Sequence, residues 1–461
     1  MLRWAVLIVW VFTALFAVRS VEAQSVADRF WGQWRGPDAT GVAPFADPPI
    51  EWGEATNVAW KAKVPGQGSS SPIVWGDKIF VLTAVPVGDP VSPAAAQFDA
   101  ARSSRQGRRV LGRSRRMGRV RGRQSILRQQ FTVMAFDRMT GEVAWRQVAR
   151  EEVPHEGYQQ PNGSYAGGSA VTDGEYLFAF FGSWGLYAYD LNGRLQWEVD
   201  LGTRFMRNGF GEGTTPALYG DTLVVTWDHI GGQSFIVALD KYTGEERWRV
   251  PRDEIDTWAT PLVVEYAGRA QVIAPAMDRV SSYDLQTGEL VWQSRGTTMN
   301  AIPSPVHADG LVYVMSGYRG NNLQAIRLAD ARGDITDTNA LVWQLDRDTP
   351  YVPSPLLYDD RLYVIKSNDG ILSVFDRLTG SPHYQLQRLE GVPNIFASPV
   401  GAAGRVYITG RDGTTLVIRH GTGFEVLASN TLDDGFDASP AVVGDELYLR
   451  GYQYLYKIAE E

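Results

Sequence analysis

Five polar side chains stand just ahead of prolines: Glu212, Asp256, Asn300, Asn394 and Asp437. Each lies three to five residues before a Pro that is itself preceded by Ser or Thr. The aromatic residues Trp258 and Tyr351 fall among them, and Arg207, Asn208, Arg347 and Asp348 flank them. Carboxylates and amides are hard oxygen donors, so several brought together suit a cation such as calcium. The same oxygens suit a polar organic ligand. They also suit solvated, turn-capping positions around a water-filled channel.

Other familiar chemistry is excluded residue by residue. Five histidines are present. His155-Glu156 lacks the second histidine of a zinc-protease helix, because position 159 is Gln159, and Gly157 disfavours the helix itself. Asp228-His229 reads as a loop pair, and His307, His383 and His420 stand alone as structural residues. No glycine-rich loop leads into a helix, so no nucleotide site is expected. The chain has no cysteine, which removes thiolate zinc sites, Cys nucleophiles and lipid attachment at an N-terminal Cys. Arg332-Gly333-Asp334 is a three-residue match inside a turn and carries no adhesion reading.

The elements that would position these residues are short and repeated. Ala238-Leu239-Asp240-Lys241-Tyr242-Thr243-Gly244-Glu245-Glu246-Arg247-Trp248 reads as two strands around a tight turn. Gly244 can take the left-handed backbone such a turn needs, and Asp240 can accept from the turn amides. Asp137, Thr140, Gly141 and Trp145 repeat the cassette, as do Asp284, Thr287, Gly288 and Trp292. Asp376, Thr379 and Gly380 repeat it with Tyr384 for Trp. Asp190, Gly193 and Trp197 form a shortened copy, and Trp343 ends a copy whose turn is expanded over 329–341.

A second marker, a small hydroxyl residue usually followed by Pro, occurs at Ser71, Ser169, Thr215, Thr260, Ser304, Ser354, Ser398 and Ser439. From Ser169 onward the spacing is 41 to 50 residues. Periods of this size mean a repeat architecture. Each unit runs from the hydroxyl marker through a short strand, a turn such as Gly220-Asp221, a second strand such as Leu311–Met315, and then the cassette. Four antiparallel strands per unit, stacked radially, make a β-propeller. The expected fold is therefore all-β: eight four-stranded blades, with each Trp packed between neighbours. The last unit runs out after three strands. Residues 57–64, ahead of the first marker, read as its missing fourth strand, which closes the ring and removes its open edges. In a propeller the loops entering the innermost strands converge at the axis, which would gather the polar residues named above.

Residues 1–23 read as a secretory signal peptide: Arg3, an apolar run from Trp4 to Val18, then small residues up to Ala23. Residues 24–51 form an N-terminal extension, and 52–461 the propeller. Net charge is −8, yet eleven arginines and no acid lie between Arg102 and Arg128. They belong to an insert, 86–130, in blade one. Arg108, Arg109, Arg115 and Arg116 make it a candidate arm for anionic surfaces, or simply a solvated loop. It has no interleaved aromatics, so specific nucleic-acid binding is not expected.

The cassette resembles the docking motif of the quinoprotein-type (PQQ-like) propeller repeats at Ala135–Trp145 and Ala238–Trp248, and in part at Asp284–Trp292. The resemblance covers 52–461. The opening Trp31-Gly32-Gln33-Trp34-Arg35-Gly36-Pro37 is similar to that of secreted bacterial members. The resemblance implies either a non-catalytic binding or assembly scaffold with a cell-envelope partner, or a dehydrogenase using pyrroloquinoline quinone with calcium. In the second case Glu212, Asn300 and Asp348 are the candidate counterparts of the calcium and base residues. The paired cysteines on which such enzymes stack the quinone are missing. The scaffold is the preferred expectation, as an exported, periplasmic or extracellular monomer.

Overall fold

The computed structural model describes residues 26–90 and 127–460. Eight antiparallel sheets form the blades of one propeller. Blade one runs outward from the axis as Ile73–Trp75, Lys78–Val87, Arg128–Asp137 and Val143–Glu152. Blade two follows as Val171–Thr172, Tyr176–Phe180, Leu186–Asp190 and Leu195–Val199, and the pattern continues round the ring. Blade eight takes Ala441–Val443, Glu446–Arg450 and Tyr454–Ile458 from the end of the chain. Its outer strand is Val58–Lys63, paired antiparallel with Tyr454–Ile458. The ring is closed by its own leading strand.

Physical reasons for the repeat are visible at each turn. Asp137 Oδ1 accepts from the amides of Met139 and Thr140 at 2.9 and 2.8 Å. The Thr140 amide and hydroxyl hold the carboxyl below its usual range. Gly141 has φ 74°, and a Cβ there would lie 2.6 Å from the Trp60 ring. Only glycine satisfies both the backbone and the approach. The Trp60 indole N–H then donates to Arg138 O at 3.3 Å. The same lock joins Trp145 to Leu191 O, Trp197 to Lys241 O, Trp248 to Leu285 O and Trp343 to Arg377 O. Each tryptophan thus docks on the turn of the following blade. Trp292 differs: it is fully buried and donates to Gln271 Oε1 within its own blade. The expanded turn of blade five offers it no Thr-Gly seat. Gly333–Asp334 from that turn instead adds a short parallel strand beside Leu290–Arg295.

Apolar layers fill the wedges between blades. Phe178 and Leu186 of blade two, for example, cluster with Leu223 and Val237 of blade three. The innermost strands start on a closed ring of hydrogen bonds. Each marker amide donates to the marker hydroxyl of the next blade, from Ser71 N to Ser169 Oγ at 2.9 Å, round to Ser439 N to Ser71 Oγ at 2.9 Å. The intervening links all measure 2.9 to 3.3 Å.

Two features organise the faces. The insert of blade one leaves from the hairpin ending Val87↔Arg128, on the face that carries the loops entering the innermost strands. Arg108, Arg109, Arg115 and Arg116, like residues 1–23, which the sequence reads as a leader, lie outside the described residues. On the opposite face residues 31–47 cross the axis. Trp31 bridges Val74 of blade one, and Thr172 of blade two donates to Gly32 O. Arg35 then reaches Pro355 O and Pro399 O, at the entries of blades six and seven, at 2.7 and 3.0 Å. Blades two and six stand on opposite sides of an eightfold ring, so this segment plugs it. Arg35 is fully enclosed with no carboxylate partner among the described residues, and burial lowers its pKa to about 9. Among the described residues no helix is long and apolar enough to cross a membrane.

Candidate functional site

The plug turns the axis into a one-ended cavity of about 250 Å³. Trp34 lies at its floor, and the marker hydroxyls of Ser71, Ser169, Thr215, Thr260, Ser398 and Ser439 girdle it. Glu212, Trp258, Asn300, Tyr351 and Asp437 meet in its wall, as the propeller loops predict. Asp256, Asp348 and Asn394 are not part of that lining. Asp256 is wholly buried behind the wall, with Arg207 Nε 3.3 Å from its Oδ2. Asp348 pairs with Lys366 at 2.8 Å, and the Asn394 side chain is exposed.

Both acids in the wall are already matched. Glu212 pairs with the buried Arg204 and accepts from Ser183 N and Oγ at 3.0 and 2.7 Å. Arg204 also donates to Thr214 Oγ1 and lies 4.9 Å from the centre of the Trp227 ring. Asp437 receives a two-pronged contact from Arg411, at 2.6 and 3.1 Å. Burial pushes the Asp437 carboxyl up, and Arg411 opposes that. Arg411 spans the mouth as well. It donates to Asn162 Oδ1 at 2.8 Å and to Pro161 O, holding the loop between blades one and two over the opening.

Behind Glu212 the ligand atoms of His155, Glu156 and Glu212 lie within 4.8 Å of one another. The segment from Arg204 to Met206 binds all three side chains. His155 Nε2 bonds Arg204 O at 2.8 Å, and Glu156 accepts from Met206 N at 3.1 Å. Burial, reinforced by Glu212, raises Glu156 to about 8. Burial lowers His155 and takes nearby His229 down to about 4.

The remaining lining is neutral. Trp258 is pinned by its indole N–H to Gly211 O at 2.8 Å, and Phe210 lies 6.4 Å from it. Tyr351 stacks on Tyr318 at 4.8 Å. Asn300 adopts φ 55°, which asparagine tolerates better than most residues. Its Oδ1 is buried without a hydrogen-bond partner. Gln159, Asn162, Asn368, Phe210, Phe396 and Trp34 escaped the sequence reading. They come from connecting loops and the plug, whose positions follow no repeat register. The Trp31–Pro37 segment was the one available signal.

A family profile described as outer membrane protein assembly factor BamB matches residues 129–332 and 232–460. The chain belongs to the BamB family. The BamB of Yersinia pestis is 23% identical over 335 residues, which is 69% of this chain and 77% of that protein. The BamB of Francisella salina is 31% identical over 105 residues, spanning 23% of this chain and 18% of that protein. The crystal structure of BamB from Moraxella catarrhalis superposes with TM-score 0.52 at 17% identity, covering 70% of this chain and 91% of the other. A europium-containing methanol dehydrogenase gives 0.58 at 10% identity, covering 93% and 90%. At such identities the superpositions establish the fold alone.

The fit of a quinone to this BamB-family ring is decided by its own residues. Pyrroloquinoline quinone is a tricarboxylate and needs cations. Arg204 and Arg411, the cations at the wall, are each neutralised by an acid. Calcium needs free carboxylates, yet Glu212, Asp256, Asp348 and Asp437 all have basic partners. The described residues do not fit a quinone with its calcium.

Proposed function

We propose that this BamB-family chain is an exported, non-catalytic binding scaffold of the bacterial cell envelope. Its axial cavity receives a small polar ligand on the face where Glu212, Trp258, Asn300, Tyr351 and Asp437 meet. One observation carries the reading: both acids that line the cavity, Glu212 and Asp437, are held in internal ion pairs. A base or a metal ligand requires the opposite arrangement. Relatives named as outer membrane assembly factors support a protein partner in the envelope. The Arg-rich insert, rooted on the mouth face, supports contact with an anionic surface, and the leader at 1–23 supports export.

The test is reconstitution of the purified protein with pyrroloquinoline quinone and calcium, followed by dye-linked oxidation of alcohols and sugars. The scaffold reading expects no turnover above the protein-free control. Turnover that disappears in Glu212→Gln would replace it with a dehydrogenase. Removal of residues 100–126, which spares the strand Arg128–Asp137, tests the insert separately: binding to anionic vesicles should be lost while the cavity is untouched.

A further inference from the structure

We infer that the axial cavity binds the end of a neutral carbohydrate, a ligand class that rests on the proposed reading of the cavity as a ligand site. The lining combines aromatic surface with uncharged polar groups and two acids, Glu212 and Asp437, each neutralised by an arginine outside the lining. Trp34, Phe210, Trp258, Tyr351 and Phe396 supply the aromatic part. Sugar rings present C–H faces that pack on such side chains, and their hydroxyls both donate and accept. The polar groups are matched to that dual character. Asn300 Oδ1 is a buried acceptor with no donor. Asn368 uses its Oδ1 on Val352 N at 3.0 Å, so its NH₂ donors remain uncommitted. Asn162 uses its Oδ1 on Arg411 in the same way. Each marker hydroxyl accepts from a neighbouring amide, which leaves its own O–H proton for a ligand.

Charge excludes the main competitors. An anionic ligand would meet Arg204 and Arg411 already paired, and an ammonium ligand would meet Glu212 and Asp437 already paired. A buried, unmatched ligand charge is costly, whereas an uncharged polyhydroxyl ligand meets no such cost. A volume of about 250 Å³ places the cavity at the small end of ligand sites. The floor is sealed by the plug, so a saccharide enters by its terminus and not by its middle.

The experiment is a glycan array carrying neutral, acidic and amino saccharides, probed with the full mature protein. Calorimetry with cellobiose and N,N′-diacetylchitobiose follows. The expected result is binding to neutral glycans that falls more than about tenfold in Trp258→Ala through loss of aromatic contact. Gln159→Ala, at an exposed lining residue, keeps the fold intact and should weaken binding about fivefold, the worth of one hydrogen bond. Binding confined to acidic or amino glycans overturns the inference and leaves the cavity a ligand site. No glycan signal above that of Trp258→Ala also overturns it. In that case failure of citrate and spermidine to bind would remove the ligand cavity from the proposed function as well.

Discussion

The backbone N–H of Ser439 donates to the hydroxyl of Ser71 at 2.9 Å, joining residues 368 apart in the chain. It is the last link of an eight-membered circle, and it explains why a hydroxyl residue opens every blade. Ser71→Ala leaves the Ser439 amide buried without an acceptor and should cost about 1–3 kcal/mol in urea unfolding. Ser71→Thr should be near neutral, since Thr215 and Thr260 hold the same place in the circle. Equal losses in both variants would show that packing, not the hydrogen bond, matters there.

Trp60 performs for blade eight what Trp248 performs for blade three. Trp60 is half-buried, so Trp60→Ala should cost about 2–3 kcal/mol, below the range for a fully buried aromatic. It should also raise amide exchange in Tyr454–Ile458, the strand that Val58–Lys63 covers. Unchanged exchange in that strand would separate the tryptophan from closure.

Glu212 is a structural acid. Arg204→Met leaves it buried without its cation, at a cost of about 3–5 kcal/mol. Arg204→Met combined with Glu212→Gln should recover most of that loss in a double-mutant cycle. Independent, additive losses would contradict the pair.

Glu156 sets a pH dependence with a definite sign. Its folded pKa of about 8 lies above the ordinary 4.5. Its stabilising contribution is therefore complete below about 4.5 and is lost as pH rises through about 8. His229, lowered to about 4, works in the opposite sense: its contribution is present above 6.5 and lost as pH falls through about 4. Between pH 6.5 and 9 that histidine is silent. Glu254, raised by burial to about 7, shares the sign of Glu156 and remains in a Glu156→Gln variant. The melting temperature of the wild type should thus fall more steeply than that of Glu156→Gln across this window. Parallel curves would place the titration elsewhere.

The ring was readable because its causes are local. An Asp that accepts turn amides, a Gly that must be left-handed and a Trp at fixed distance write themselves into every copy. The missing strand of blade eight could be counted and its substitute found at 57–64. Trp292 broke the rule without warning, because its seat depends on the expanded turn of another blade. The plug was illegible as such: residues 31–47 have no period, and their partners are backbone groups on four or more blades. At the mouth, convergence was predictable for Glu212, Trp258, Asn300, Tyr351 and Asp437. Their neutralisation was not, since Arg204 and Arg411 come from loops outside the repeat register. Asp256 was misplaced for the same reason, drawn behind the wall beside Arg207.

Closure of the ring by the leading strand underlies the cavity, its floor and its mouth together. The most direct measurement compares thermal unfolding and small-angle scattering of a chain beginning at Gln24 with a chain beginning after Val64. The account predicts loss of the cooperative transition and an expanded particle, because blade eight is opened and the plug is gone. A truncated chain of unchanged size and melting temperature would contradict it.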